Sequence, residues 1–234
     1  MKRFLRSMSV IVVLLAAGTQ VLAAQRSYVW TEEYWTLEAG GAEVEFWSTA
    51  VTKDRQTRNA SDWKQKIELE YGITDRLNAA LYQVYEQAAD SSSLTYAGYN
   101  IELKYRIAEQ NALPVDILLY GEHEVSTIEG SVNEGKLVLA KEIGNLGIAY
   151  NQIYEKVASE HQGDHGYAAG ISYAIVPWLK AGIESKGSYT NGTYAAGPTL
   201  AWLGNRIWAN IGAIFALNDK TKDREVRFLL GVPF

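Results

Sequence analysis

From residue 41 onward, apolar and polar side chains alternate with a period of two, as on a strand whose faces meet different surroundings. Residues 61–72 set Trp63, Ile67, Leu69 and Tyr71 against Lys64, Lys66, Glu68 and Glu70. Residues 95–107 set Tyr99, Ile101, Leu103 and Tyr105 against Asn100, Glu102, Lys104 and Arg106. The pattern returns with Val115, Ile117 and Leu119 against Asp116, Tyr120 and Glu122, and with Leu179, Ala181 and Ile183 against Lys180, Gly182 and Glu184. It predicts twelve strands: 41–53, 61–72, 76–88, 95–107, 114–125, 134–143, 145–156, 165–176, 178–187, 194–203, 206–217 and 224–234. Tight connectors at 72–76, 108–113, 144–145, 176–177 and 204–205 alternate with longer polar ones at 53–60, 89–94, 126–133, 157–164, 188–193 and 218–223. In the third, seventh and eleventh strands the pattern leaves open which face is which.

The last strand carries Val226, Phe228, Leu230, Val232 and Phe234 on one face, and the chain stops on an aromatic residue. Such an end resembles the terminal strand of Gram-negative outer-membrane β-barrels. In that setting Phe228, Leu230, Val232 and Phe234 are the expected assembly signal, and the last strand closes against the first near Ala42–Thr52. The resemblance implies an all-β fold: a transmembrane up-and-down antiparallel barrel with short periplasmic turns and longer extracellular loops. Lys or Arg on a lipid face costs about 2–4 kcal/mol at the midplane, so the charged faces must line the lumen. Trp63, Tyr71, Tyr105, Trp178 and Trp202 fall near strand ends, where interface anchors belong.

The N-terminus reads as a secretory signal peptide. Lys2, Arg3 and Arg6 precede a short apolar core at 10–17 and a small-residue cleavage pattern at Val21-Leu22-Ala23, placing the cut after Ala23 or Ala24. That run is too short to cross a bilayer as a helix. Together with export, the resemblance of the terminal strand implies the Gram-negative cell outer membrane as destination. Losing residues 1–24 takes the formal charge from −5 to −8, and a nucleic-acid partner is not expected of so acidic a chain. There is no Cys, hence no disulfide, lipid-attachment site or thiolate chemistry. Residues 25–38 are expected as a periplasmic lead-in to the barrel at 39–234, with a plug tucked into the lumen as the other placement.

Some positions resist the scheme. Gln65, Gln83 and Lys141 point toward lipid, and Pro198 sits inside a strand, where a bulge or a shifted register is expected. The segments Ile67-Glu68-Leu69-Glu70-Tyr71-Gly72-Ile73-Thr74-Asp75-Arg76-Leu77 and Ala196-Gly197-Pro198-Thr199-Leu200 resemble the small outer-membrane barrels of the phenol-degradation meta-pathway transporter-like family. The resemblance implies a channel or transporter and names no solute.

The candidate pore-lining residues are Lys64, Lys66, Glu68, Glu70, Glu102, Lys104, Arg106, Asp116, Glu122, Lys180, Glu184 and Arg227. Two readings stay open for them: charges that select small solutes in a passive channel, or a salt-bridged filling of a structural barrel whose loops bind a partner. Small inward residues at Ala168, Gly170, Ser172 and Ala174, with Gly182 and Gly197, leave room for solute or for an inserted segment. The one His-rich stretch, Glu160-His161-Gln162-Gly163-Asp164-His165, is expected to be a solvated loop, so neither metal nor cofactor is predicted. An enzyme is not expected: His123 has Glu124 and Ser126 nearby, but adjacent strand positions face opposite ways. The expected partners are outer-membrane lipid and lipopolysaccharide, the barrel-assembly machinery and small-molecule solutes.

Overall fold

The computed structural model describes residues 26–54, 61–127 and 130–234. The signal-peptide reading of residues 1–24 lies outside the described residues.

Twelve strands run β1 Ala42–Thr52, β2 Ser61–Thr74, β3 Leu77–Gln87, β4 Thr95–Arg106, β5 Asp116–Ser126, β6 Gly130–Ile143, β7 Leu146–Val157, β8 Asp164–Val176, β9 Leu179–Ser188, β10 Thr193–Leu203, β11 Trp208–Ala216 and β12 Arg224–Pro233. Each pairs antiparallel with its sequence neighbours, and β12 pairs with β1 to close the barrel. The closing seam runs from Glu43 opposite Pro233 to Thr52 opposite Arg224. It is finished by Phe234 N–H donating to Ala42 O at 2.8 Å. Closure leaves no edge strand with unpaired backbone groups, the condition a sheet must meet to sit in hydrocarbon.

The outer surface is apolar. Ile67, Leu69, Ile101, Leu103, Ile148, Ile171, Ile183, Leu200 and Ile211 are all exposed there, a belt that water would penalise and lipid solvates. Trp63, Tyr71, Tyr105, Trp178 and Trp202 are exposed as well. The ambiguous strands now have assigned faces. Asn78, Ala80, Tyr82 and Val84 of β3, Ala149 and Asn151 of β7, and Trp208, Asn210 and Ile214 of β11 are buried in the interior.

The connectors define a turn end, which carries both ends of the barrel, and a loop end. The expected alternation of lengths is inverted at two places. The β4–β5 connector at the turn end is the longest, nine residues from 107 to 115, whereas β5 and β6 are joined at the loop end by 127–129 alone. The long connector is held by polar contacts. Arg76 Nε donates to Glu109 (2.9 Å), Gln110 to Glu142 (3.2 Å) and Asn111 N–H to Asp116 (2.6 Å). It also explains Lys141, whose Nζ is covered by Asn111 Oδ1 at 2.8 Å. The short one arises because β6 begins at Gly130, at φ 88°, so that Ser126 already pairs with Gly130. At Pro198 the register is not shifted. The ladder to β11 lapses between Ala196–Phe215 and Thr199–Gly212, which accommodates the missing donor.

The core lies inside the barrel. Residues 26–37 enter from the turn end, where Gly40 N–H donates to Gly72 O and Ala39 N–H to Asp75. They fill the lower lumen. Val29 and Trp30 pack with Trp47, Tyr82, Trp208, Ile214 and Leu229, while Tyr28 and Tyr34 pack with Leu118, Tyr120 and Val138.

Candidate functional site

Hydrogen bonds tie this segment to the wall. The Glu184 carboxylate of β9 accepts the backbone N–H groups of Val29, Trp30 and Thr31 at 2.8, 2.8 and 2.9 Å, and the Thr31 hydroxyl at 3.1 Å. A carboxylate gathering three consecutive N–H groups supplies charge-assisted bonds to a backbone that has no strand of its own to pair with. Asn151 clasps Glu32 from both sides, accepting its N–H at 2.6 Å and donating to its carbonyl at 2.9 Å. Asn210 donates to Arg26 O at 2.8 Å, and Arg227 to Val29 O at 2.9 Å. Tyr28 reaches Gly147 O at 2.9 Å, and Trp30 Nε1 reaches Glu225 at 2.6 Å.

The small inward residues match the segment's bulk. A Cβ on Gly170 would lie 2.5 Å from the Tyr28 ring, and one on Gly212 would lie 2.6 Å from both Val29 and the Trp30 ring. These glycines are required by close approach, because their missing side chains are replaced by those of the segment.

Above the segment, toward the loop end, lies a cavity of about 530 Å³ floored by Val29, Trp30 and Glu32. Its charges are unevenly distributed. On β5 to β8 are Glu122, Glu124, Glu134, Glu155 and Asp164; on β2, β9 and β12 are Lys64, Lys66, Lys186 and Arg227. Two residues run against this division and are paired with their neighbours: Lys136 with Glu134 at 3.0 Å, and Glu225 with Lys186 at 2.7 Å and Arg227 at 3.3 Å. Two of these cations lie over Trp47, Arg227 at 5.5 Å and Lys66 at 5.9 Å from its ring centroid, with Arg26 below the cavity at 5.0 Å. Lys64 meets Glu124 across the division at 3.5 Å; elsewhere acids on one wall face bases on the other, giving a transverse field that orients solutes carrying a dipole.

The twelve candidate lining residues fall into three groups. Lys64, Lys66, Glu122 and Arg227 border the cavity. Glu68, Glu70, Glu102, Lys104, Asp116, Lys180 and Glu184 are buried below it. There Lys180 reaches Ser27 at 3.0 Å and Lys104 reaches Glu102 at 3.0 Å, Glu70 at 3.3 Å and Glu32 at 3.8 Å. Arg106 lies at the turn end, donating to Asp75 O. Sequence reasoning missed Asn151, Asn210 and Glu225 as clips, and Trp30 and Trp47 as lining groups. The two asparagines stand in strands of unassigned face; a polar residue in an otherwise apolar set was the available signal.

His165 belongs to β8 and packs on Tyr154, while Asp164 accepts from Ser188 and Asn191. Exposed His123 hydrogen-bonds Asn133 at 2.8 Å, whereas Glu124 borders the cavity. The two therefore sit on opposite faces of β5.

No family model matches the sequence, and no curated protein matches it. Solved structures do. The KdgM porin matches with TM-score 0.59 at 9% identity over 82% of this chain and 99% of its own. The COG4313 outer membrane channel from Pseudomonas putida F1 matches with TM-score 0.58 at 10% identity over 88% of this chain and 100% of its own. The NanC porin matches with TM-score 0.56 at 12% identity over 82% of this chain and 98% of its own. KdgM has also been solved in complex with disordered oligogalacturonate. The chain has the closed, twelve-stranded fold of these outer-membrane channels.

Proposed function

We propose that this protein is a passive outer-membrane channel for small polar solutes, closed at rest by residues 26–37. The observation that carries the proposal is the polar cavity with divided charge, floored by a segment that is joined to the barrel through residues 38–41 and otherwise held to the wall by noncovalent bonds. A structural filling has no need of a charge-lined cavity of about 530 Å³. The fold shared with porins and the oligogalacturonate complex of KdgM support passage of a small polar solute over catalysis. The apolar outer belt supports an outer-membrane location with periplasmic turns and extracellular loops. In that setting the Phe228, Leu230, Val232 and Phe234 face of β12 is presented to lipid and to the assembly machinery. Kinship with the phenol-degradation meta-pathway group rests on Ile67–Leu77, which runs from the second half of β2 through the turn to the start of β3, and on Ala196–Leu200, which spans the lapse in the β10 ladder.

The divided charge favours solutes bearing both signs, such as amino acids, over uncharged solutes of equal size. Swelling of proteoliposomes in isotonic glycine tests this. Swelling faster than in protein-free liposomes, and faster than in an uncharged solute of similar size, is expected. No swelling with either the wild type or a variant of the Glu184 anchor would count against the channel.

A further inference from the structure

Beside the tethered segment, the wall carries charge that the chain's own cations do not balance. β1 and β2 place Glu43 opposite Glu70 and Glu45 opposite Glu68, all four facing inward. Like charges directly opposite on neighbouring strands repel. Glu102 of β4 and Glu32 of the segment are buried in the same region, where Lys104 lies within ion-pair distance of Glu32, Glu70 and Glu102. Within ion-pair distance these six carboxylates meet two cations among the described residues, Arg26 and Lys104; Arg26 pairs with Glu45 and Glu32 at 3.3 Å each. Burial of unpaired carboxylates is among the costliest arrangements a protein can hold.

Three of these groups converge. Carboxylate oxygens of Glu45, Glu68 and Glu70 lie within 4.8 Å of one another, the only such group among the described residues. Glu68 is fully buried, yet neither of its oxygens has a hydrogen-bond donor. Asn78 adds a second orphan. Its amide nitrogen donates to Glu70 Oε1 at 2.9 Å, and its own buried Oδ1 has no donor. Oxygens with this spacing fit around one ion at roughly 2.3–2.6 Å from each.

We propose that Glu45, Glu68 and Glu70 form a calcium site inside the barrel wall, where turning over the Asn78 amide, whose nitrogen now meets Glu70, would offer Oδ1 as a fourth oxygen. The all-oxygen donor set disfavours zinc. Magnesium holds several waters in a strict octahedron, which this buried cluster does not accommodate, whereas calcium tolerates irregular carboxylate and amide shells. The ion links β1 and β2 to the charge network around Lys104 and, through Arg26 and Glu32, to the segment. The site does not depend on whether the barrel conducts.

Burial makes exchange slow, so loading is best tested on the full chain refolded into detergent with calcium or with a chelator, then freed of loose metal by gel filtration. About one calcium per chain should be retained. The thermal shift from folded to unfolded gel migration should move upward relative to chelator-refolded protein. Glu68→Gln should refold with its migration shift intact and retain no calcium. Terbium provides a second readout independent of that variant. Trp47 Nε1 lies 2.8 Å from Glu45 Oε2 and Trp208 Nε1 2.9 Å from Glu43 Oε1, so refolding with terbium should give tryptophan-sensitised emission that is weaker when calcium is present during refolding and is reduced in Trp47→Phe. Absence of retained calcium, retention equal in Glu68→Gln, or sensitised emission unchanged in Trp47→Phe would each overturn the site.

Discussion

Truncating Glu184 to alanine removes the acceptor of four hydrogen bonds at 2.8–3.1 Å and leaves the barrel's backbone ladder untouched. Hydrogen bonds to a charged group contribute about 1.5–3 kcal/mol each. Counting only two of the four at the lower figure gives about 3 kcal/mol, or roughly a hundred-fold change in equilibrium. The clips at Asn151, Asn210 and Arg227 remain, so the loss appears as more frequent release of the apex at 29–32 and not as unfolding of the barrel. The absence of Cys makes the release measurable. Val29 is 2% exposed and contributes only backbone groups to the anchor, so Val29→Cys should react slowly with a bulky maleimide. Where closing is faster than labelling, the rate follows the open population. Adding Glu184→Ala should raise the labelling rate by about two orders of magnitude, and Glu184→Gln, which keeps one amide oxygen acceptor, by less. Equal rates in the wild-type and Glu184→Ala backgrounds, with both proteins showing folded gel migration, would refute the assignment of Glu184 as the principal tether.

Other expectations follow from the same geometry. Glu122→Gln with Glu124→Gln should shift the reversal potential in a salt gradient toward anion preference, and Lys66→Met toward cation preference, because these residues border the cavity. Gly170→Leu should clash with the Tyr28 ring, raising Val29→Cys labelling, and Tyr28→Ala should relieve the clash, because the two atoms compete for one space. Ile67→Lys, on the lipid face, should lower the refolding free energy in bilayers by roughly 2–4 kcal/mol. Ile67→Val should cost no more than about 1.5 kcal/mol.

Strand positions are legible in the sequence because lipid and lumen impose opposite demands on alternate residues, as in Ile67, Leu69 and Tyr71 against Glu68 and Glu70. Legibility fails where a side chain serves neither surroundings. Asn151 and Asn210 are clips for a backbone segment, and their role depends on residues more than a hundred positions away. The β4–β5 connector was read as tight because apolar alternation was followed to 107 and resumed at 114; Glu109, Gln110 and Asn111 instead bind Arg76, Glu142 and Lys141. The position of residues 26–37 is set by backbone N–H groups meeting Glu184, an interaction with no residue-type signature on the segment's side. Its trace in the sequence is on the wall, in Gly170 and Gly212. Glu184 was legible as inward, but its number of donors was not.

Single-channel recording in a planar bilayer tests the central claim most directly. The account predicts discrete, infrequent openings for the wild-type barrel and a large rise in open probability for Glu184→Ala, because the variant removes the acceptor that holds the segment in the lumen. Insertion of both proteins, verified by folded migration, with no conductance from either, would contradict it.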